Sequence, residues 1–171
     1  FIIRIHGKSA HVSTPQLGAD ALYIASELVV ALQAIVTRTT SPIDPVLIGV
    51  GKLSAGTAYN AVAEFAELEG TTRTLLPETR THVHAAIDAA EHISALYGGT
   101  VQVEWEDFAP PLLNDASVCE EASRVAAALG IPTTKERALS LSGDNFADYL
   151  LYVKGAYAYL GTANSDKPHT C

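Results

Sequence analysis

Over residues 1–108 the apolar residues change their spacing in a fixed order, and that order restricts the fold more than any other feature. Phe1 to His6 is a short apolar run closed by Gly7, which reads as a strand. From Asp20 to about Arg38, Leu22, Ala25, Leu28, Val29, Leu32, Ile35 and Val36 recur at three- and four-residue spacing. This predicts an amphipathic helix, stopped by Pro42 and Pro45. Val46 to Leu53 is β-branched and aliphatic, hence a strand. Ala61 to Leu75 alternates, with Ala66, Leu68, Gly70 and Thr72 on one face and Glu67, Glu69, Thr71 and Arg73 on the other. Pro77 opens a second helix carrying Val83, Ala86, Ile87, Ala90, Ile93 and Leu96, and Gly98-Gly99 closes it. Thr100 to Phe108 alternates again, with Val101, Val103 and Trp105 inward. Strand, helix, strand, strand, helix, strand is the order of two split βαβ units. It predicts an α+β fold, the ferredoxin-like βαββαβ sandwich, with an antiparallel four-stranded sheet and both helices on one face.

Pro110-Pro111 marks the expected boundary between a first domain, 1–108, and a remainder, 109–171. In the remainder, Asp115 to Leu129 reads as a helix capped by Asn114 or Asp115 and stopped by Gly130 and Pro132. A Gly143-Asp144-Asn145 turn leads to a short helix near Phe146 to Tyr152, and Ala156 to Leu160 reads as a last strand. Two helices and one strand cover no sheet by themselves, so 109–171 reads as the incomplete part of an α/β domain. The chain also has no methionine and opens in mid-strand, which points to a piece of a longer polypeptide.

Composition narrows the function. With 171 residues, 48% of them hydrophobic, the chain can bury a core without a disulfide or a structural metal. Its 11 basic and 19 acidic residues give a net charge of −8, which argues against nucleic acid or an anionic membrane as partner. Cys119 and Cys171 lie too far apart in sequence for a disulfide framework or a metal knuckle. The apolar stretch Ala21 to Val36 is broken by Ser26, Glu27 and Gln33, a helical core pattern rather than a membrane span. No signal peptide is visible, and the expected location is the cytoplasm.

Four groups of residues invite chemistry. His11 stands in a loop of small residues between a strand and a helix, where an imidazole serves as an oxyanion donor, a metal ligand or an ordinary surface residue. His84, Asp88 and His92 share one helical face at metal-clamping spacing, though a solvated polar face is the better reading. Glu120 and Glu121 are adjacent on a helix and diverge by about 100°, so they cannot converge on one small site. Asn60 follows the turn Gly56-Thr57-Ala58, and Arg73 offers a guanidinium fork for a carboxylate, or else a surface partner for Glu67 or Glu69.

The run Gly7-Lys8-Ser9-Ala10-His11-Val12-Ser13-Thr14-Pro15, followed by Leu17-Gly18-Ala19-Asp20-Ala21, resembles the lid-domain opening of the dinuclear-zinc aminoacylase, hippurate hydrolase and carboxypeptidase G family. Four further stretches match in family order: Ala31 to Arg38; Gly51-Lys52-Leu53 with Gly56 to Asn60; Leu68 to Thr74; and Ser142 to Phe146 with Gly155 to Thr162. The resemblance spans nearly the whole chain, with departures at Ala63, where the family often has proline, and at Asp144-Asn145, where it has a Glu-Asp pair.

That resemblance implies a metallo-amidohydrolase or peptidase acting on N-acyl amino acids or small peptides, working as a homodimer through the lid. His11 would be the catalytic oxyanion donor, acting across the dimer, and Asn60, Arg73 and Gly143 would touch substrate. The two divalent metal ions, zinc or manganese, and the base would sit in protein missing from this chain. The chain itself would hold no complete metal site and would be inactive alone. His169 is expected to be a loop residue ahead of the last metal ligand. The alternative is a non-catalytic ferredoxin-like dimerisation or ligand-binding module.

Overall fold

Strand β1 (Ile2–His6) finds antiparallel partners on both edges, which places it inside a four-stranded sheet. The other strands are β2 (Val46–Ala55), β3 (Phe65–Thr74) and β4 (Thr100–Glu104), and the order across the sheet is β2-β3-β1-β4. Every pairing is antiparallel, as the split βαβ reading requires. This computed structural model describes residues 1–134 and 140–161.

The helices α1 (Ala21–Ala34), α2 (Pro77–Asp88) and α3 (Ala90–Leu96) supply the core over the sheet. Ile3, Ile5, Ala66 and Leu68 from the strands meet Ile24, Leu28, Val83 and Ile87 from the helices, all fully or almost fully buried. Asp20 caps α1 by accepting from the Leu22 and Tyr23 N–H groups. Beyond Ala34 the helix widens into a π-helical turn, Ile35–Thr39, before the prolines end it. The helical run Ala21–Thr39 has the length and hydropathy of a membrane span. Its residues Ala21, Ile24, Ala25, Leu28, Leu32 and Ile35 are nonetheless buried in the core cluster.

The opposite face of the sheet carries charge. Arg4 pairs with Glu67 at 3.0 Å and with Glu104 at 2.6 Å, and Lys52 pairs with Glu69. Exposed pairs of this kind add little stability, and here they keep an uncovered sheet face polar.

Several boundaries differ from the sequence reading. The second helix breaks at Ala89 into α2 and α3, and Leu96 turns out to solvent. β3 starts at Phe65 rather than Ala61, because 60–64 pairs with the loop before α1. β4 is an edge strand that ends at Glu104, so Trp105 lies half-buried at its end. No strand forms over Ala156 to Leu160. There the Asn114 amide stands in for a neighbouring strand, donating to Tyr157 O at 3.0 Å and accepting from Tyr157 N at 2.8 Å.

The described residues form two compact units, 1–111 with 140–143 and 112–134 with 144–161. In the second unit Asp115 caps α4 (Ala116–Ala128), and the backbone at Gly130 turns left-handed at φ +73°. A single further turn, α5 (Phe146–Leu150), follows in that unit.

Candidate functional site

Beyond the end of β1 the chain keeps pairing. Gly7 N donates to Glu64 O at 2.8 Å, Val62 N to Ala10 O at 2.8 Å, and Val12 N to Asn60 O at 3.2 Å. The loop holding His11 and the loop holding Asn60 thus continue the β1–β3 ladder past the edge of the sheet, with a bridge between His11 and Ala61. Gly7 permits this course: a Cβ there would lie 2.1 Å from Ala19 O. The Ala21 N–H donates to Ala63 O at 2.8 Å and ties the start of α1 to the same place.

His11 is exposed, and its Nδ1 accepts from the Ser13 backbone N–H at 3.2 Å, with Ser13 Oγ 2.7 Å away. An N–H aimed at Nδ1 makes that nitrogen the acceptor, so the neutral ring carries its proton on Nε2. His11 therefore presents an outward N–H donor. Asn60 is also exposed.

Arg73 lies elsewhere. It pairs with Leu47 at the far end of the sheet, eight residues along β3 from Phe65, or about 27 Å at ~3.3–3.4 Å per residue. One Nη donates to Thr72 O at 2.9 Å and to Thr71 Oγ. Glu67 and Glu69, the surface partners considered for it, are taken by Arg4 and Lys52 instead. The Nε edge faces Gly143, where a Cβ would come within 4.0 Å of Nε and 3.4 Å of the Phe108 ring. The structure thus brings together His11 with Asn60, and Arg73 with Gly143. Within one chain it does not bring Asn60 and Arg73 to the same small substrate.

The remaining candidates resolve as packing. His84 stacks on Trp105, whose Nε1 donates to Asp88 at 2.9 Å, and among the described residues the His92 ring meets the carbonyl of Ala89, just before its own helix. The expected solvated face is therefore partly a covered one. Glu121 pairs with Arg124 at 2.5 Å. Among the described residues no three His, Cys, Asp or Glu side chains gather as a metal site. His169 and Cys171 lie outside the described residues. Sequence reasoning did not find the hollow beside His11, lined by Val12, Asp20, Leu22, residues 55–59 and 61–63. No sequence period marks such a hollow, because its walls come from three separate segments.

Comparison with known proteins places the chain in a family. The peptidase dimerisation domain family matches residues 1–97, more than half of the chain. The N-acetyl-L-cysteine deacetylase of Bacillus subtilis is 36% identical over 163 residues, covering 95% of this chain and 39% of the relative. A tripeptidase from Staphylococcus aureus superposes with a TM-score of 0.70 at 27% identity, over 88% of this chain and 39% of that one. A dinuclear metal-binding peptidase of the M20 family from Bacillus subtilis superposes with a TM-score of 0.67 at 27% identity, over 90% of this chain and 38% of that one. The chain spans about two fifths of the length of the relatives it matches.

Proposed function

The chain belongs to the M20 peptidase family through its dimerisation domain, and on that premise we propose that it is part of an amidohydrolase cleaving N-acyl amino acids or small peptides. In this proposal residues 1–108 are the lid and 109–171 begin the return to the catalytic domain. The observation that carries the reading is the division of the site residues between two ends of one sheet, each with a donor that has no partner among the described residues. Hydrolysis of an amide passes through a tetrahedral oxyanion, and His11 offers the Nε2–H to receive it. An oxyanion donor acts where charge develops, so its worth, ~2.7–4 kcal/mol, falls on the transition state. Arg73 offers its open Nε edge to the substrate carboxylate, a contact made before and during reaction.

Because about 27 Å of sheet separates these ends, one site needs both only if two protomers meet. In the proposed homodimer, His11 and Asn60 of one copy approach the substrate held by Arg73 and Gly143 of the other. Two divalent metal ions, zinc or manganese, belong to the same proposal and would supply an activated water. The described residues of this chain do not fit such ions, so the proposal assigns their ligands and the general base to protein outside it. The proposed location remains the cytoplasm.

Mixing subunits of the full-length protein tests the arrangement. Assayed with substrate well below KM, where kcat/KM is read, His11→Ala and Arg73→Ala homodimers are each expected to be nearly inactive. Random exchange makes half of the dimers mixed, each with one intact site, so about a quarter of the wild-type activity should return. Verified exchange with no recovery would rule out the shared site.

A further inference from the structure

Two strands outrun β1 at the Arg73 end of the sheet. β1 meets β4 last at Ile2–Glu104 and β3 at Ile2–Glu69, with Phe1 bonded to Gly70 just beyond. Residues 71–74 and 105–108 continue past those pairs, setting out two strand spacings, or about 10 Å, apart. Gly143 stands where they come together: a Cβ on it would lie 3.4 Å from the Phe108 ring and 4.0 Å from Arg73 Nε. All of these residues belong to the first compact unit.

We infer that Phe108 is a specificity-determining contact at this end, meeting the apolar side chain of the amino acid whose carboxylate Arg73 receives, and that Arg80 of α2 is the positioning residue that directs it there. The inference rests on the hydrolase reading.

The course of residues 105–108 is set by α2, since the ladder has ended. Arg80, His84 and Asp88 recur every four residues and so share one helical face. Asp88 accepts from Trp105 Nε1, His84 stacks on the indole, and the Phe1 ring lies 5.7 Å from it. Arg80 Nη2 pairs with Asp107 Oδ1 at 2.5 Å. The segment is thus gripped at Trp105 and again at Asp107. Phe108 follows with 65% of its surface exposed, placed by its neighbours rather than by its own burial.

Charge gives the Arg80 pair its task. Its side chains are 29% and 68% exposed, so it adds little stability. Its effect is on direction: it turns the Asp107 carboxylate towards α2. Released, that carboxylate would stand next to Phe108, where it would compete for the Arg73 guanidinium and repel a substrate carboxylate.

The substrate's own geometry brings in the ring. An α-amino acid branches into its side chain two bonds from the carboxylate carbon, and the ring and the guanidinium both lie within 4.0 Å of one point at Gly143. A carboxylate received by Arg73 therefore carries its side chain to Phe108. An exposed aromatic ring gains by covering an apolar group.

The full-length, metal-loaded protein should be assayed with N-acetylglycine and N-acetylphenylalanine. KM is expected to be about two- to tenfold lower for the phenylalanine derivative, the range of an aromatic contact. Phe108→Ala should erase that difference and Phe108→Leu should retain part of it. Arg80→Ala should raise KM severalfold for both substrates, by more than it lowers kcat. Adding Asp107→Asn to it should bring KM back, which no general loosening of the fold would do. Calorimetry with N-methanesulfonylphenylalanine, whose sulfonamide is not hydrolysed, should show Phe108→Ala weakening binding by the same factor. A preference or a binding constant that Phe108→Ala leaves unmoved overturns the contact, and so does an equal loss on both substrates in kcat as in KM. A KM that Arg80→Ala leaves unmoved, or that Asp107→Asn fails to bring back, overturns the positioning role. Each of these results leaves the hydrolase reading standing. No turnover of either derivative by the wild type overturns that reading and this inference together.

Discussion

The imidazole of His84 lies flat on the indole of Trp105, ring centroids 3.8 Å apart and planes 11° from parallel. Burial, helped by the nearby Arg80 charge, holds the imidazole below its usual pKa of 6.5. The unfolded chain therefore binds a proton at a higher pH than the folded chain does. The stability this imidazole contributes is fully present above about pH 6.5 and is lost as the pH drops through the window below it, since protons then favour the unfolded state. Urea titrations between pH 7.5 and 5 should show this slope, and His84→Phe should flatten it. An unchanged slope in the variant would move the effect to another group.

His11→Ala in the full-length protein should lower kcat by roughly 10²–10³-fold with KM nearly unchanged, because the donor meets charge that exists only in the transition state. Arg73→Ala should chiefly raise KM, because its contact is made in both states. Steady-state kinetics with metal analysis separates the roles. Loss of metal from His11→Ala would make His11 a ligand instead.

Ser94 is fully buried in α3, and its hydroxyl has no hydrogen-bond partner among the described residues. Ser94→Ala should therefore stabilise the chain by about 1 kcal/mol, since an unpaired buried hydroxyl costs ~1–3 kcal/mol. A denaturant midpoint that shifts downward would mean that the hydroxyl is satisfied after all.

Gly7→Ala should cost ~1–3 kcal/mol by forcing a methyl group against the Ala19 carbonyl, 2.1 Å from where its Cβ would stand. The strain falls on the segment that carries His11, so activity of the full-length variant should fall as well. Thermal melts and turnover, measured together, check both halves.

The 171-residue chain alone should hydrolyse no N-acyl amino acid, with or without added zinc or manganese. Its described residues gather no set of metal-ligating side chains, and the members of a catalytic unit fail together rather than in shares. Zinc-stimulated turnover by the purified chain would count decisively against this.

The periods in the sequence determined the order of strands and helices, and with it the sheet, because burial on one face writes itself into neighbouring residues at fixed spacing. Ala66 and Leu68 inward, Glu67 and Glu69 outward, follow from that spacing and hold in the structure. The loops around His11 and Asn60 and the strand bearing Arg73 were also legible, through stretches of residues that stand together in the chain. Spacing could not say where those stretches end up relative to one another. The apolar run of Ala156 to Leu160 suits a strand, yet a strand needs a neighbour, and the Asn114 side chain serves instead. Asn60 and Arg73 sit on one extended segment, and only the rigid rise of β3 separates them too far for one small substrate. The hollow beside His11 is drawn from the first loop, the second loop and the start of α1. Such a space belongs to no segment, so tertiary packing alone decided it.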